Sequence, residues 1–219
     1  MSQINTDYID IQQYVWDTLD SNSWLIIENN SGLLVDAVEN DDLCKTIMSL
    51  DGLTIILTHS HFDHVCGLNH IRQLRPDVKV IATQNCSFNI GNASKNLSSV
   101  ANVFMSFHRG GTFDGNVDPF VCAPVDESFE GTKILEWQGH KIELDSVYGH
   151  SNDGLIMIID DKYLFSGDTI LDVPTITRFP GGSTKEYKEK DIPLLKSKKM
   201  RLIYPGHGRF ITIGDRYEI

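Results

Sequence analysis

The sequence predicts an α/β protein in which two β-sheets carry helices on their outer faces. Short apolar runs recur along the chain of 219 residues, and several are continuously apolar, as expected for strands that are buried on both faces. Amphipathic helical patterns lie between some of these runs. Strands come first and then alternate with helices, which is typical of sheets with helices packed outside them.

The predicted strands are short segments of mostly apolar, β-branched or aromatic residues. They are Ile9–Val15, Trp24–Glu28, Leu33–Val38, Thr54–Thr58, Val78–Ala82, Lys141–Val147, Leu155–Ile159, Tyr163–Ser166 and Arg201–Tyr204. No internal repeat and no Pro/Gly/Ser-rich linker separates them. We therefore expect one domain over residues 1–219.

Helices are predicted where apolar residues recur with a helical period. Asp41–Leu50 shows this period, and so does Val65–Leu74, which ends before Pro76 because the residue preceding a proline avoids the helical conformation. Ser183–Ser197 begins with a serine followed by a glutamate at the spacing of a capping box. Pro193 lies inside this last stretch, so we predict a helix that is short or broken there.

Residues 86–131 are rich in glycine and phenylalanine and show no sustained period. Long irregular segments are uncommon in compact domains and often serve a function. Two interpretations are open. The segment forms a wall or lid of a site, or it consists of a helix and a surface insertion.

The net charge limits the possible partners. The chain has 19 Lys+Arg and 30 Asp+Glu, a formal charge of −11 at pH 7. Proteins that bind nucleic acid usually present a basic face. The dense basic stretch at residues 185–201 is interrupted by acidic residues and is typical of a solvated helix face. We therefore expect no nucleic-acid partner.

Hydropathy and cysteine spacing bear on the location of the protein. Apolar runs such as Leu155–Ile159 are far shorter than the ~20 residues that span a membrane, and residues 1–7 lack the features of a secretory signal. The cysteines are too sparse for a disulfide scaffold and show no C-x-x-C spacing. We predict no membrane association and a cytoplasmic location, and the oligomeric state stays open.

A cluster of possible metal ligands follows the predicted strand Thr54–Thr58. His59, His61, Asp63 and His64 lie within six residues. Neutral imidazole and carboxylate groups are ligands that zinc, iron and manganese accept. Alternate residues at the end of a strand point the same way, so His59 and His61 can share one position. Asp63 and His64 can then curl round to a second position nearby.

Three further ligand-type residues each follow an apolar strand and a glycine. They are His150 in Tyr148-Gly149-His150-Ser151, Asp168 in Ser166-Gly167-Asp168-Thr169, and His207 in Pro205-Gly206-His207-Gly208. Glycine lets the backbone turn sharply and approach its neighbours closely. Together with the first cluster, these residues predict one metal centre built from loops at strand ends.

These motifs resemble those of the metallo-β-lactamase-fold hydrolase superfamily, and most closely its glyoxalase II-like branch. The matching segments are His59-Ser60-His61-Phe62-Asp63-His64, Gly149-His150-Ser151, Ser166-Gly167-Asp168-Thr169, Phe179-Pro180-Gly181-Gly182 and Pro205-Gly206-His207-Gly208. The early segments Asn22–Ile26 and Leu33–Asp36 resemble the first strands of that family. The resemblance covers nearly the whole chain and implies a four-layer αββα sandwich with metals at one rim between the sheets.

The resemblance also implies the ligand set of two divalent metal ions. The first metal would be held by His59, His61 and His150, the second by Asp63, His64 and His207, and Asp168 would bridge the two. Zinc is the expected metal, with iron or manganese as alternatives. The other histidines, His70, His108 and His140, lack a strand–glycine context and are interpreted as surface or structural residues.

The implied activity is that of a dinuclear metal-dependent hydrolase acting on a small-molecule acyl substrate. A metal-bridging hydroxide would cleave a small thioester or ester, as in a glyoxalase II-like hydroxyacyl thioesterase. Asp63 is the predicted catalytic residue, because it could orient the nucleophile and move its proton. A lactonase, a mononuclear iron dioxygenase acting on persulfides, and a metal-binding protein without catalysis are the alternatives.

Some positions depart from the family pattern. Tyr148 stands where glyoxalase II proteins usually have proline, and Arg178 stands where an acidic residue is common. The glutathione part of the substrate is therefore not implied. Asp168 supplies a bridging carboxylate that the enzymes opening β-lactams lack, which argues against β-lactamase activity.

Overall fold

The protein is described by a computed structural model that covers residues 9–108, 111, 115–198 and 202–212. Within these residues, two six-stranded sheets pack face to face, and helices cover the outer face of each sheet. This arrangement confirms the predicted four-layer αββα sandwich. Over the same ranges, every helix is too short or too polar to cross a membrane.

The first sheet contains the first six strands in the order of the chain. They are β1 (Asp10–Trp16), β2 (Ser21–Glu28), β3 (Ser31–Val35), β4 (Gly52–Ile56), β5 (Lys79–Thr83) and β6 (Glu127–Phe129). The first three strands pair antiparallel, and β3 to β6 pair parallel.

The second sheet contains the remaining strands, also in chain order. They are β7 (Thr132–Trp137), β8 (His140–Val147), β9 (Gly154–Ile159), β10 (Tyr163–Gly167), β11 (Leu202–Pro205) and β12 (Ile211–Thr212). All neighbours pair antiparallel except β10 and β11, which are parallel.

The helices are short. They are α1 (Asp41–Ile47), α2 (Phe62–Val65), α3 (Leu68–Leu74), α4 (Gln84–Asn89), α5 (Ala101–His108), α6 (Thr184–Glu186) and α7 (Ile192–Ser197). A 3₁₀ turn, Ser98–Val100, precedes α5. A π-helical turn, Tyr187–Asp191, joins α6 to α7.

Side chains that alternate along each strand form a core between the two sheets and further cores under the helices. In β4, Ile56 faces the space between the sheets, whereas Ile55 faces the helices α1 and α3. In β10, Phe165 faces the inner core, and Leu164 packs towards α7. Side chains of a strand alternate between its faces, so a continuously apolar strand contributes to both cores. This is why such strands were recognisable in the sequence.

Three strands were missed. β6 and β12 are too short to give a periodic pattern. β7 is an edge strand whose side chains alternate between exposed and half-buried, so its Lys and Glu residues conceal it. The predicted strand Leu33–Val38 is too long, because Asp36 adopts a left-handed φ of 60° directly after β3. Arg201, the predicted first residue of the last strand, lies outside the described residues.

Two helix predictions need correction. The predicted helix Val65–Leu74 is divided into α2 and α3, because the N–H of Gly67 donates to Ala37 O at 2.8 Å instead of to its own helix. A Cβ at Gly67 would lie 2.4 Å from Val38 O, so this close contact requires glycine. The helix predicted to reach Leu50 ends at Ile47, and its last residues form a tight turn.

Pro193 does not stop the third predicted helix. The chain stays helical on both sides of it, but the π-helical turn precedes it and the proline lies in the first turn of α7. A missing N–H costs least in that turn. Both interpretations of residues 86–131 hold in part. The segment contains α4 and α5, and α5 forms a wall of the cavity described below.

Candidate metal centre

The histidine-rich cluster follows β4 at the rim of the sandwich. His59 and His61 lie in the extended segment after the strand, and Asp63 and His64 lie in the short helix α2. All four side chains belong to buried residues. The extended segment and the helical turn bring the two pairs to neighbouring positions, with the ring centroids of His59 and His64 4.3 Å apart.

The other three predicted residues meet this cluster from the second sheet. His150 lies in the loop between β8 and β9, Asp168 directly follows β10, and His207 lies two residues after β11. The structure thus brings all seven predicted residues together. Their ligand-type atoms form three groups, within each of which all atoms lie within 4.8 Å of one another: His59, His61 and His150; His59, His64 and Asp168; and Asp63, His64 and His207.

Glycines allow the loops to approach this closely. Gly167 has a left-handed φ of 48°, and a Cβ there would lie 2.7 Å from Thr58 Oγ1. A Cβ at Gly206 would lie 2.2 Å from Asp168 Oδ1 and 2.8 Å from His64 Cε1. Real Cβ atoms do not come so near to other heavy atoms. The strand–glycine–ligand pattern therefore reflects a steric requirement of the site.

Most of the histidines are oriented through Nδ1. His150 Nδ1 lies 2.9 Å from Ile176 O, and His207 Nδ1 lies 3.1 Å from Leu19 O. Because a carbonyl only accepts, each Nδ1–H donates. Each Nε2 then faces the other predicted ligands, at 3.4 Å from Asp168 Oδ2 for His150 and at 3.2 Å from Asp63 Oδ2 for His207. His64 Nδ1 is 3.0 Å from Asp36 Oδ2. Such outer partners are typical of metal-binding histidines.

Asp36 and Thr58 form the support behind the centre. The carboxylate of Asp36 accepts hydrogen bonds from the backbone N–H of Thr58 at 2.7 Å and from its hydroxyl at 2.8 Å. The Thr58 oxygen, having donated its proton, can accept from His59 Nδ1 at 3.0 Å. One buried carboxylate thus orients His64 directly and His59 through Thr58.

Supporting contacts were missed in the sequence. Asp191 in the π-helical turn accepts hydrogen bonds from the N–H groups of Tyr148 and Gly149, at 3.0 and 2.7 Å, and so fixes the loop that carries His150. Asn22 Nδ2 and Trp24 Nε1 donate to Pro205 O and fix the loop that carries His207. In the sequence, these supporting residues could be noticed only as polar side chains beside or within an apolar segment.

The electrostatic environment divides the histidines into two kinds. Burial, with neighbouring histidines, holds the pKa of His59 well below its usual range, and burial and His150 lower the pKa of His61 to about 4. Burial also acts on His64, but Asp63 and Asp168 outweigh it and raise its pKa to about 9. His59 and His61 are therefore neutral at pH 7, and each has a nitrogen lone pair that can bind a metal. The positive charge of His64 is balanced by the neighbouring carboxylates.

The pKa values of the two carboxylates, Asp63 and Asp168, are lowered by the neighbouring histidines. Burial alone would raise the pKa of Asp63, but His64 and His207 lower it to about 2. The same histidines, with His150, hold the pKa of Asp168 well below its usual range despite burial. Both carboxylates are therefore ionised at neutral pH, the form in which a carboxylate binds a metal.

Orphaned polar atoms show that these residues fit a metal. Among the described residues, His59 Nε2, His64 Nε2 and Asp168 Oδ1 are buried and lack a hydrogen-bond partner. Buried polar atoms without partners are costly and rare. The orphans belong to residue types that divalent metals accept, and they lie in one of the groups defined above.

Known proteins similar to this chain were found by sequence and by structure. It is 24% identical over 159 residues to an atrochrysone carboxyl ACP thioesterase from Aspergillus fumigatus, covering 72% of this chain but only 39% of that protein. It is 22% identical over 203 residues to a probable metallo-hydrolase from Streptococcus pyogenes serotype M6, covering 88% of this chain and 81% of that protein.

The fold is shared with solved structures. The structure of the B3 metallo-β-lactamase BLEG-1 superposes with a TM-score of 0.75 at 20% sequence identity, covering 94% of this chain and 95% of that one. The family model described as the metallo-beta-lactamase superfamily matches residues 16–207, which include every predicted ligand. The chain therefore belongs to the metallo-β-lactamase superfamily, whose members are generally hydrolases.

Proposed function

We propose that this protein is a metal-dependent hydrolase of esters or thioesters that uses two divalent ions. His59, His61 and His150 would hold the first ion, and Asp63, His64 and His207 the second. Zinc suits this set of imidazole and carboxylate donors, and iron or manganese are accepted by the same groups.

The position of Asp168 carries this proposal. Its Oδ2 lies 3.4 Å from His150 Nε2 and 3.5 Å from His207 Nε2, and its Oδ1 lies 3.5 Å from His64 Nε2. One carboxylate therefore contacts a histidine proposed for the first ion, His150, and histidines proposed for the second, His64 and His207. A bridging carboxylate is the residue expected between two neighbouring ions, and a single-metal site with two histidines and one aspartate would leave the second group without a role.

The reaction adds water to the acyl carbon. A new C–O bond forms, the C–S or C–O bond to the leaving group breaks, and a carboxylic acid and a thiol or alcohol are released. When bound, the two ions would supply a water of lowered pKa and would polarise the acyl carbonyl. The roles left to the chain are orientation of the water and transfer of its proton.

We assign both roles to Asp63. Its Oδ2 lies 3.2 Å from His207 Nε2 and 3.5 Å from His64 Nε2, and it borders the open cavity. An ionised carboxylate at this position can accept a hydrogen bond from water and hold its proton until the leaving group takes it. No Ser–His or Cys–His nucleophile is needed, and burial raises the pKa of Cys66, which keeps this nearby thiol protonated.

The similarity to a protein named as a thioesterase supports thioesters as the substrate class. Because that similarity covers 39% of the relative, the activity of the whole relative is not carried over. The finer prediction of a hydroxyacyl thioester rests on the glyoxalase II resemblance alone, and S-lactoylglutathione is included below as its test substrate. A lactonase would use the same site chemistry on a cyclic ester.

The test is thiol release from a panel of thioesters that includes S-lactoylglutathione, with zinc-loaded protein. We expect release to be lost in Asp168→Ala and retained in the matched surface variant Asp51→Ala, since Asp51 is exposed at the bend that precedes β4, whereas the predicted ligands follow the other end of that strand. Metal content and circular dichroism show whether each variant is folded and loaded. Release at equal rates from both variants would contradict the proposal.

A further inference from the structure

An apolar cavity opens directly onto the candidate metal centre. Its volume is about 540 Å³, within the range of ~300–1,000 Å³ that is usual for small-molecule sites. His61, Asp63, His150, Asp168 and His207 form its floor. A group in this cavity therefore lies beside the residues to which the previous section assigns the hydrolysis.

Two apolar walls enclose the cavity. Phe104 and Phe107 of α5 form one wall, together with Leu97. Leu171, Val173, Ile176 and Phe179 form the other, from the segment that follows Asp168. Both walls belong to connections between core strands, so their composition can vary without loss of the sandwich.

Phe179 connects the walls to the floor. Its ring centroid lies 5.4 Å from that of Phe104 and 5.6 and 5.5 Å from those of His61 and His150. These distances are typical of aromatic pairs in contact. The apolar surface therefore runs without a break from the mouth of the cavity to the predicted metal ligands.

Charge is confined to the floor. Among the described residues that line the cavity, none is a lysine or an arginine. The carboxylates present are Asp63 and Asp168, both predicted to bind metal. The walls thus offer no cation to an anionic acyl group and few hydrogen bonds to a polyhydroxylated one.

The mouth exposes several large apolar side chains. Phe107 is 82% exposed, and Val173 and Ile176 are 60% and 52% exposed. Apolar residues grouped around a concave site usually mark a surface that a ligand covers. Here they extend the two walls outwards, so a longer acyl group would bury more of them than a short one.

From these observations we infer that the substrate of this hydrolase carries a neutral, apolar acyl group at least as large as a six-carbon chain or a phenyl ring, held between the two walls. The inference rests on the proposed hydrolysis and names its substrate class. It assigns acyl selectivity to Phe104, Phe107 and Phe179, and it predicts that a small polar acyl group such as lactoyl is a poor substrate.

The experiment compares acyl groups on one leaving group. N-acetylcysteamine thioesters of acetate, lactate, hexanoate and phenylacetate are hydrolysed by zinc-loaded protein, and kcat/KM is measured from thiol release. Burial of one methylene accounts for at most about a fourfold gain. We expect the hexanoyl and phenylacetyl thioesters to exceed the acetyl and lactoyl thioesters by at least about tenfold. Equal rates, or faster hydrolysis of the lactoyl thioester, would overturn the inference and leave the proposed hydrolysis standing.

Two exposed phenylalanines provide a matched pair of variants. Phe107→Ser removes a cavity wall, and we expect the hexanoyl-to-acetyl ratio of kcat/KM to fall by about fivefold or more. Phe88→Ser removes a ring that is 70% exposed and absent from the cavity lining, and we expect the ratio to stay at the wild-type value. Equal effects of the two substitutions would count against the cavity as the acyl site.

A binding measurement separates this inference from the proposed activity. Hexanamide and acetamide, which resist hydrolysis, are compared on metal-free protein by saturation-transfer NMR. We expect a signal for hexanamide that weakens in Phe107→Ser, and a much smaller signal for acetamide. If no thioester is hydrolysed but hexanamide binds in this way, the proposed function fails and the apolar site stands. Absence of hexanamide binding overturns the inference.

Discussion

At the scale of single residues, His64 shows how one side chain is held in place. Its Nδ1 contacts Asp36, and its Nε2 lies 3.5 Å from both Asp63 Oδ2 and Asp168 Oδ1. The ring is fully buried, so water does not compete for these contacts. Asp36 is therefore a residue through which metal binding can be weakened without removing a predicted ligand.

Asp36→Asn tests this role. The amide cannot accept from Thr58 and His64 as the carboxylate does, so His64 loses its fixed orientation. Because Asp36 also orients His59 through Thr58, we expect metal affinity to fall by about 10- to 100-fold, as measured by competition with a chelator. Asp126→Asn is the matched control, because Asp126 also accepts from a backbone N–H, that of Val80, but lies outside the site. Unchanged affinity in Asp36→Asn would contradict the assigned role.

The grouping of the seven predicted ligands was expected because residues of ligand type concentrate at strand ends in the sequence. Asp36 was not, since its function depends on contacts with Thr58 and His64, which lie 22 and 28 positions along the chain. The same holds for Asp191, whose partners in the His150 loop are more than 40 positions away. Spacing within one segment reveals direct ligands, and tertiary contacts reveal their supports.

At the scale of elements, the loops after β10 and β11 must pass very close to each other. The N–H of Gly206 donates to Gly167 O at 2.8 Å, and the missing side chain at Gly206 leaves room for Asp168. The glycine pattern was visible in the sequence, but its steric reason was not. Only the arrangement of parallel β10 and β11 brings these two loops together.

Gly206→Ala tests the steric requirement. The added methyl group would press on Asp168 and His64, so we expect metal content to fall and kcat/KM for a thioester to drop by about 100-fold, the usual cost of a displacement of ~1 Å. Gly52→Ala is the control, since a Cβ there meets no atom nearer than 3.9 Å. Circular dichroism verifies that both variants fold. Full metal content in Gly206→Ala would show that the loop has room for the methyl group.

At the scale of the whole molecule, His140 links the two sheets at the edge of the sandwich. It is the first residue of β8 and contacts Glu28 of the first sheet and Asp160 in the turn between β9 and β10. His70, also interpreted as a surface or structural residue, is exposed, whereas the side chain of His108 lies outside the described residues. Partial burial lowers the pKa of His140, but the two carboxylates outweigh it and raise the pKa above the usual value.

This contact makes stability depend on pH. A raised pKa stabilises the folded state below the unfolded pKa of ~6.5, and the contribution is lost as pH rises through the folded pKa. We expect His140→Gln to lower the free energy of unfolding at pH 6 by up to about 1 kcal/mol, as for a partly exposed ion pair, and by less at pH 9. Urea unfolding measures this, with His70→Gln as control. A difference that grows with pH would contradict the assignment.

The layered fold was predictable because each inner strand is apolar on both faces, as in β9 and β10. Three of the four edge strands were not, since β6, β7 and β12 are short or polar, whereas the edge strand β1 was predicted. The wall made by α5 was left open for a related reason. Ala101 and Met105 of that helix are buried, but Phe107 is apolar on the exposed side and lines the cavity, so the apolar residues do not mark one buried face in the sequence.

The most direct test of the account is a metal titration of metal-free protein in which bound metal and thioester hydrolysis are followed together. The account predicts two equivalents of bound zinc and hydrolysis that rises with the second equivalent, because Asp168 contacts the ligands proposed for each ion. Full hydrolysis without metal, or activity that is complete at one equivalent with no second zinc bound, would contradict it.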